Sequence, residues 1–165
     1  MITPAWYSWA RAREGVREIV GPQHNPEVVS FWDLGKVALD VDDDEVPWCA
    51  AFACAAIEET GYVSPRTGRA RGFVPGRLMS PCDHRLGAIV VLSSDRGPAS
   101  GHVGFLAGIE PGKVHLLGGN QGNRVCIAPF PAAKIVHMLW PATAPAFTHY
   151  PKAPTMVGGK PVTDG

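Results

Sequence analysis

One hundred and sixty-five residues supply one globular core and leave no room for a second domain of ordinary size. Fifteen basic side chains balance fifteen acidic ones, so no net charge draws the chain to nucleic acid or to an anionic membrane surface. No run approaches the roughly 20 apolar residues that span a bilayer, which argues against membrane insertion. The hydrophobic fraction of 45% suits a folded core, while 19 Gly and 16 Pro, about a fifth of the chain against a usual eighth or so, demand many turns. Met1-Ile2-Thr3-Pro4 lacks the basic segment and apolar run of a secretory signal, so synthesis is expected in the cytoplasm. Cys49, Cys54, Cys82 and Cys126 show neither C-x-x-C pairing nor framework spacing and read as free thiols.

Thr3-Pro4 gives a helix-start signal, a hydroxyl cap before Pro, and Trp6, Trp9, Ala10, Arg13 and Val16 follow at helical spacing toward Gly21-Pro22. Asn25-Pro26-Glu27 repeats the signal for a second helix through Gly35. After the acidic run Asp42-Asp43-Asp44-Glu45, Pro47 opens a third helix, from Trp48 to about Thr60, so uniformly apolar that it must be buried. Tyr62 to Arg85 has no periodicity and carries five arginines among Gly and Pro, as a long surface loop would. Strands are expected over 87–92, 103–109, 114–117, 124–128 and 134–140, with a hairpin turn at Glu110-Pro111-Gly112-Lys113. Helices first and a strand meander afterwards predict an α+β fold. The Pro- and Gly-rich stretch after Pro141 has few large apolar residues and reads as an extended tail that orders only against something else.

Cys49 falls in the first turn of the buried helix, where unpaired amides favour a thiolate. Cys54 points about 140° around the same helix and reads as a core residue. A cysteine nucleophile needs a base, and Gly101-His102 stands at the mouth of a strand, where a side chain can face a cleft. Folding the hairpin about Pro111-Gly112 brings His102 opposite Asn120 or Gln121, because paired positions sum to 222 or 223. A one-residue slip flips faces, so both stay open as the group that orients the base. Gly118-Gly119 just before them permits close backbone approach. The acidic run at Asp42, Asp43 and Asp44 invites a calcium reading, but contiguous acids cannot all point at one ion, and a solvated loop is the simpler expectation.

The blocks Pro47-Trp48-Cys49-Ala50-Ala51-Phe52, Gly87-Ala88-Ile89-Val90-Val91-Leu92, Gly101-His102-Val103-Gly104-Phe105 and Leu117-Gly118-Gly119-Asn120-Gln121 resemble papain-like cysteine hydrolases of the CHAP and NlpC type. The likeness is to a short phage-associated branch and covers roughly residues 5 to 141. It implies an N-terminal helical layer on an antiparallel sheet, and cysteine amidase or endopeptidase action on the peptide part of peptidoglycan without a cofactor. Cys49 would be nucleophile, His102 base and Asn120 orienter, with Gln121 near the substrate; Trp48 would either wall the substrate or anchor the helix as a core residue, and Glu18 reads as a structural helix-loop hydrogen-bonding partner, with substrate contact as its lesser alternative. It further implies a catalytic domain over 1–141, with the tail 142–165 docking on other virion proteins of a phage tail or baseplate, the protein then being virion-borne or released to the wall. The alternatives are a virion adaptor with a hydrolase-like body, and a cysteine amidohydrolase or toxin directed at proteins.

Overall fold

Nine consecutive residues, Cys49 to Ile57, offer no charged or amide side chain to water, and the helix they begin, α3 (Cys49–Glu59), is buried at every one of those positions. The computed structural model is described for residues 2–19, 24–38, 47–145 and 150–162. It covers α3 with α1 (Ala5–Arg11) and α2 (Pro26–Leu34) on one side and an antiparallel sheet on the other. Small side chains let these layers close. A Cβ at Gly35, which ends α2, would lie 2.8 Å from Cys54 Cβ and 2.9 Å from the Ala55 nitrogen, so Cys54 is the core residue that its position on the helix predicts.

The second helix starts as its sequence predicts, with Asn25 Oδ1 accepting from the Glu27 amide at 2.9 Å and Pro26 in the first turn. The first differs. Pro4 occupies the N-cap position, no side chain caps the helix, and α1 stops at Arg11 rather than near Gly21. Gly15 adopts φ +94° and turns the chain away. Its backbone then pairs with the segment before β5: Gly15 donates to Val125 O, Val125 to Val16 O, and Glu18 to Asn123 O. Those long-range bonds replace the helical ones and tie the N-terminal segment to the loop that carries Asn120 and Gln121.

Six strands form the sheet: β1 (Met79–Pro81), β2 (Ile89–Ser93), β3 (Gly101–Glu110), β4 (Lys113–Gly118), β5 (Cys126–Pro131) and β6 (Ile135–Pro141), in the order β1-β6-β2-β3-β4-β5. The expected meander therefore holds for β2 to β5 only, because β6 returns to the free edge of β2 and β1 lines up on β6. Three residues, Ala132–Lys134, join β5 to β6 across four places in the strand order. A flat sheet would hold those strands about 19 Å apart, but four Cα steps reach only about 14 Å. The sheet must curl, and the curl brings Phe130 of β5 onto His102 of β3, ring centroids 5.0 Å apart and 28° from parallel.

Much of the stretch expected as a long surface loop is held by structural contacts of its arginines. Arg66 pairs with Glu58 at 2.9 Å, where the carboxylate is almost fully buried and also accepts from the Ser64 amide. Arg71 packs under Gly101 and reaches Ser100 O, which steadies the approach to β3. β1 was not expected in this stretch. With three residues and two of them exposed, it carries no alternation to read.

The described part of the tail lies on this chain's own body. Leu86 donates to Pro151 O, Ala153 to His84 O and Ile109 to Pro154 O, and Arg85 Nη1 donates to Tyr150 O at 3.0 Å. Tyr150 packs edge-on to Trp140, Ala153 joins the core, and Met156 fills the space left by the missing side chain of Gly108. A short pair, β7 (Met156–Val157) with β8 (Lys160–Pro161), ends the described tail. Tyr150, Ala153 and Met156 are the apolar residues that anchor it, while Val157 and Val162 stay exposed. Among the described residues no helix is long and apolar enough to cross a membrane.

Met156→Ala is expected to lower the unfolding free energy by about 2 kcal/mol, and truncation after residue 145 by at least about 3 kcal/mol. Denaturant titration of the three proteins checks this, and an unchanged midpoint for the truncated chain would show that the strap contributes nothing to the body.

Candidate active site

Helix α3 begins at Cys49, with Trp48 as its N-cap, and the first amide committed to the helix is that of Phe52, bonded to Trp48 O. The amides of Cys49, Ala50 and Ala51 therefore lack intrahelical partners and favour negative charge at the helix start. Cys49 is 8% exposed and lines a cleft of about 410 Å³ whose walls include His102, Asn120, Ser93, Ser100 and Phe130.

The position of Trp48 fixes that of Cys49. Trp48 is fully buried, packs against Phe31 and Phe52, and donates from Nε1 to Glu18 Oε1 at 2.6 Å. Gly119 closes over it: a Cβ there would lie 2.7 Å from the indole ring and 2.8 Å from Phe52 Cβ. Of the readings open for these two residues, the structural ones hold: Trp48 is a core pin and Glu18 its polar partner, because burial removes the indole from the cleft. Glu18 also donates its backbone amide to Asn123 O, so one residue ties the start of α3 to the loop after β4.

His102 pairs with Leu92 at the start of β3. The hairpin register sums to 223 near the turn (Glu110 with Lys113, Ile109 with Val114) and to 222 nearer the site (Phe105 with Leu117), with a bulge between Leu106 and Gly108. Continued to the site, 222 would set Asn120 opposite His102. The ladder ends first, at Gly118. Asn120 takes φ 57°, the loop turns, and it is Gln121 whose Oε1 lies 2.9 Å from His102 Nε2. The expectation that Asn120 orients the imidazole is corrected here: Gln121 holds that place, and Asn120 lines the open cleft.

Gln121 also fixes the ring's tautomer. Its Nε2 donates to Leu116 O at 3.0 Å and to Cys126 O at 2.8 Å, which uses both of its protons. Oε1 can only accept, so His102 Nε2 carries the hydrogen and Nδ1 keeps the lone pair. A Cβ at Gly118 would overlap Oε1 itself, so glycine is required there. Cys126 Sγ closes the set by donating to Gln121 O at 3.4 Å.

Burial holds the Cys49 thiol above the ordinary cysteine value, outweighing the backbone amides of Val103, Ala50 and Cys49 that favour the thiolate. Burial likewise holds His102 below the ordinary histidine value, opposed by its bond to Gln121. The helix start alone predicts a thiolate. With desolvation included, the resting pair at neutral pH is an uncharged thiol and an uncharged imidazole, with no hydrogen bond between them among the described residues. Burial and the adjacent Asp83 push the Cys82 thiol up to about 12, which leaves it inert.

His102, Asn120 and Phe130 also border a second hollow of about 450 Å³, lined by Gln121, Arg124, Cys126 and Pro129. The two hollows share those three residues as a common wall. Sequence reasoning missed Phe130, which lies two strands from His102 and reaches it only through the sheet's curl. The residues of the calcium reading, Asp42, Asp43 and Asp44, lie outside the described residues, and among those described no three His, Cys, Asp or Glu side chains could hold a metal ion. Comparison of the chain with family models, with curated proteins and with solved structures gives no match.

Two outcomes follow from this geometry. Glu18→Ala should cost about 1–3 kcal/mol in unfolding free energy by leaving the Trp48 N–H buried without an acceptor, whereas Glu18→Gln should keep most of it. In an NMR titration His102 should lose its proton below the ordinary histidine range, because burial disfavours the imidazolium. Gln121→Leu, which removes the accepting oxygen, should lower that midpoint further.

Proposed function

We propose that this protein is a papain-like cysteine hydrolase of the CHAP and NlpC type that cuts amide bonds in the peptide part of peptidoglycan. The observation that carries the reading is Gln121: an amide locked by two backbone carbonyls presents its oxygen to His102 Nε2, leaving Nδ1 as a base beside the thiol at a helix start. A histidine placed only for packing has no need of so constrained an orienter. The four sequence blocks supply the substrate class.

In this reading the thiol proton passes to His102 Nδ1 as Cys49 Sγ attacks the carbonyl carbon. The oxyanion that forms faces the unpaired amides at the start of α3. Collapse breaks the C–N bond, the imidazolium gives its proton to the departing amine, and a thioester remains. Water, deprotonated by His102, then releases the acid and restores the thiol. Gln121 stabilises the ring while it is charged, and the stacked Phe130 limits its rotation. A phage-borne role, at the tail or as a lysin, rests on the resemblance alone. The tail's contacts with its own body give no separate support to a docking strap.

Purified sacculi incubated with the protein should release muropeptides detectable by mass spectrometry, with free stem peptides marking an amidase and cleaved cross-links an endopeptidase. Cys49→Ala and His102→Ala should each reduce release at least about 10³-fold. Equal release by Cys49→Ala and the parent protein would sink the nucleophile assignment. Because the base must be neutral, activity should persist below the ordinary histidine range and fall as His102 takes up its proton.

A further inference from the structure

A further hollow, of about 470 Å³, shares no lining residue with the two that His102 borders. Its walls include Pro65, Val74, Pro75, Leu78 and Met79, with Arg77 among them and no acidic side chain among the described residues. All of these lie outside the four blocks that resemble cysteine hydrolases. Val74 is 50% and Leu78 40% exposed, within an unbroken run of exposed residues from Val74 to Leu78. Single apolar residues on a surface are ordinary, but here two line one concavity and are held out at fixed places. Buried Phe73 and Met79 pin the run at its ends, Gly76 donates to Met79 O at 2.9 Å, and Ala142 donates to Leu78 O at 2.9 Å. A surface already held in shape loses little entropy when it is covered.

Charge indicates what covers it. The chain as a whole is neutral, but from Tyr62 to Pro81 it carries Arg66, Arg69, Arg71 and Arg77 and no aspartate or glutamate. Arg66 is engaged by Glu58 and Arg71 by Ser100 O, whereas Arg77 makes no ion pair among the described residues and stays available at the hollow. β1 stands at the end of the strand order, yet its edge offers little to an added strand, because Pro81 has no N–H and Met79 O is taken by Gly76. We infer that the hollow is a docking site for another protein, receiving one aliphatic or aromatic side chain of a segment whose flanking residues are acidic, with Arg77 drawing the acids. A concavity with one unpaired cation on its wall suits a side chain better than a lipid surface, which a polybasic face would meet. The inference does not rest on the hydrolase reading.

The probes are labelled synthetic heptapeptides with a central leucine, phenylalanine or tryptophan, flanked by aspartate and glutamate in one set, by serine in a second and by lysine in a third. Each is titrated with the full chain by fluorescence anisotropy. The acid-flanked set should bind at least about tenfold more tightly than the serine set and the lysine set most weakly, with the differences shrinking as salt is added. Val74→Ser and Leu78→Ser, at exposed positions where the thermal midpoint should not move, should each weaken acid-flanked binding about tenfold. Arg77→Glu should remove the preference for acid while the apolar centre is still required. Equal binding of the three sets, no binding of any set up to about millimolar concentration, or binding indifferent to all three substitutions would overturn the proposal. So would self-association of the chain that Leu78→Ser abolishes, or sedimentation with phosphatidylglycerol vesicles that Arg77→Glu abolishes, which would assign the surface to a second copy or to a membrane.

Discussion

The burial of α3 sets the conditions for everything else in this molecule. A helix with alanine or cysteine at seven of its first eight positions has no polar face to offer water, so it must be covered all round, and its small side chains let the covering elements come close. Its start then lies at a fixed depth, where the sheet begins to curl. Cys49 inherits that depth, and desolvation of its thiol follows directly.

The groups that make the site chemically specific are polar, and each is held by backbone. The amide of Gln121 is oriented by two carbonyls, one on β4 and one at the start of β5, and Glu18 is held through the amide it donates to Asn123 O. Such anchoring is insensitive to side-chain rotamer changes elsewhere, because it depends on strands pinned by their own ladder. Close approach is required at Gly118 and Gly119, where any side chain would collide with Gln121 or Trp48.

What could be read from the sequence was whatever local pattern determines. The apolar run of α3, the Asn25-Pro26 cap, the strands from Ile89 to Trp140, and the places of Cys49 at a helix start and His102 at a strand start all appear where their residues predict. What escaped depends on long-range geometry. The early end of α1 follows from bonds to Val125, more than a hundred residues away. The return of β6 to β2 leaves no local mark, since β6 would carry the same residues in a simple meander. The choice of Gln121 over Asn120 turned on where the ladder stops, and a pairing sum cannot know that. Few anchors sufficed for the tail because it lies along grooves already formed, which composition alone does not reveal.

The bulge in β3 carries one more consequence. A regular hairpin transmits any change in its turn to every pair up the ladder, since the sum of paired positions is constant. Here the sum changes by one between Leu106 and Gly108, so the turn-proximal and site-proximal halves of the hairpin keep separate phases. The phase set by the turn at Pro111-Gly112 is therefore not the phase at the site, where His102 is held by its pairing with Leu92 on β2. In mechanical terms it is a step joint: the turn-side half is keyed to the tail through Gly108 against Met156 and Ile109 bonded to Pro154 O, while the site-side half keeps its own phase.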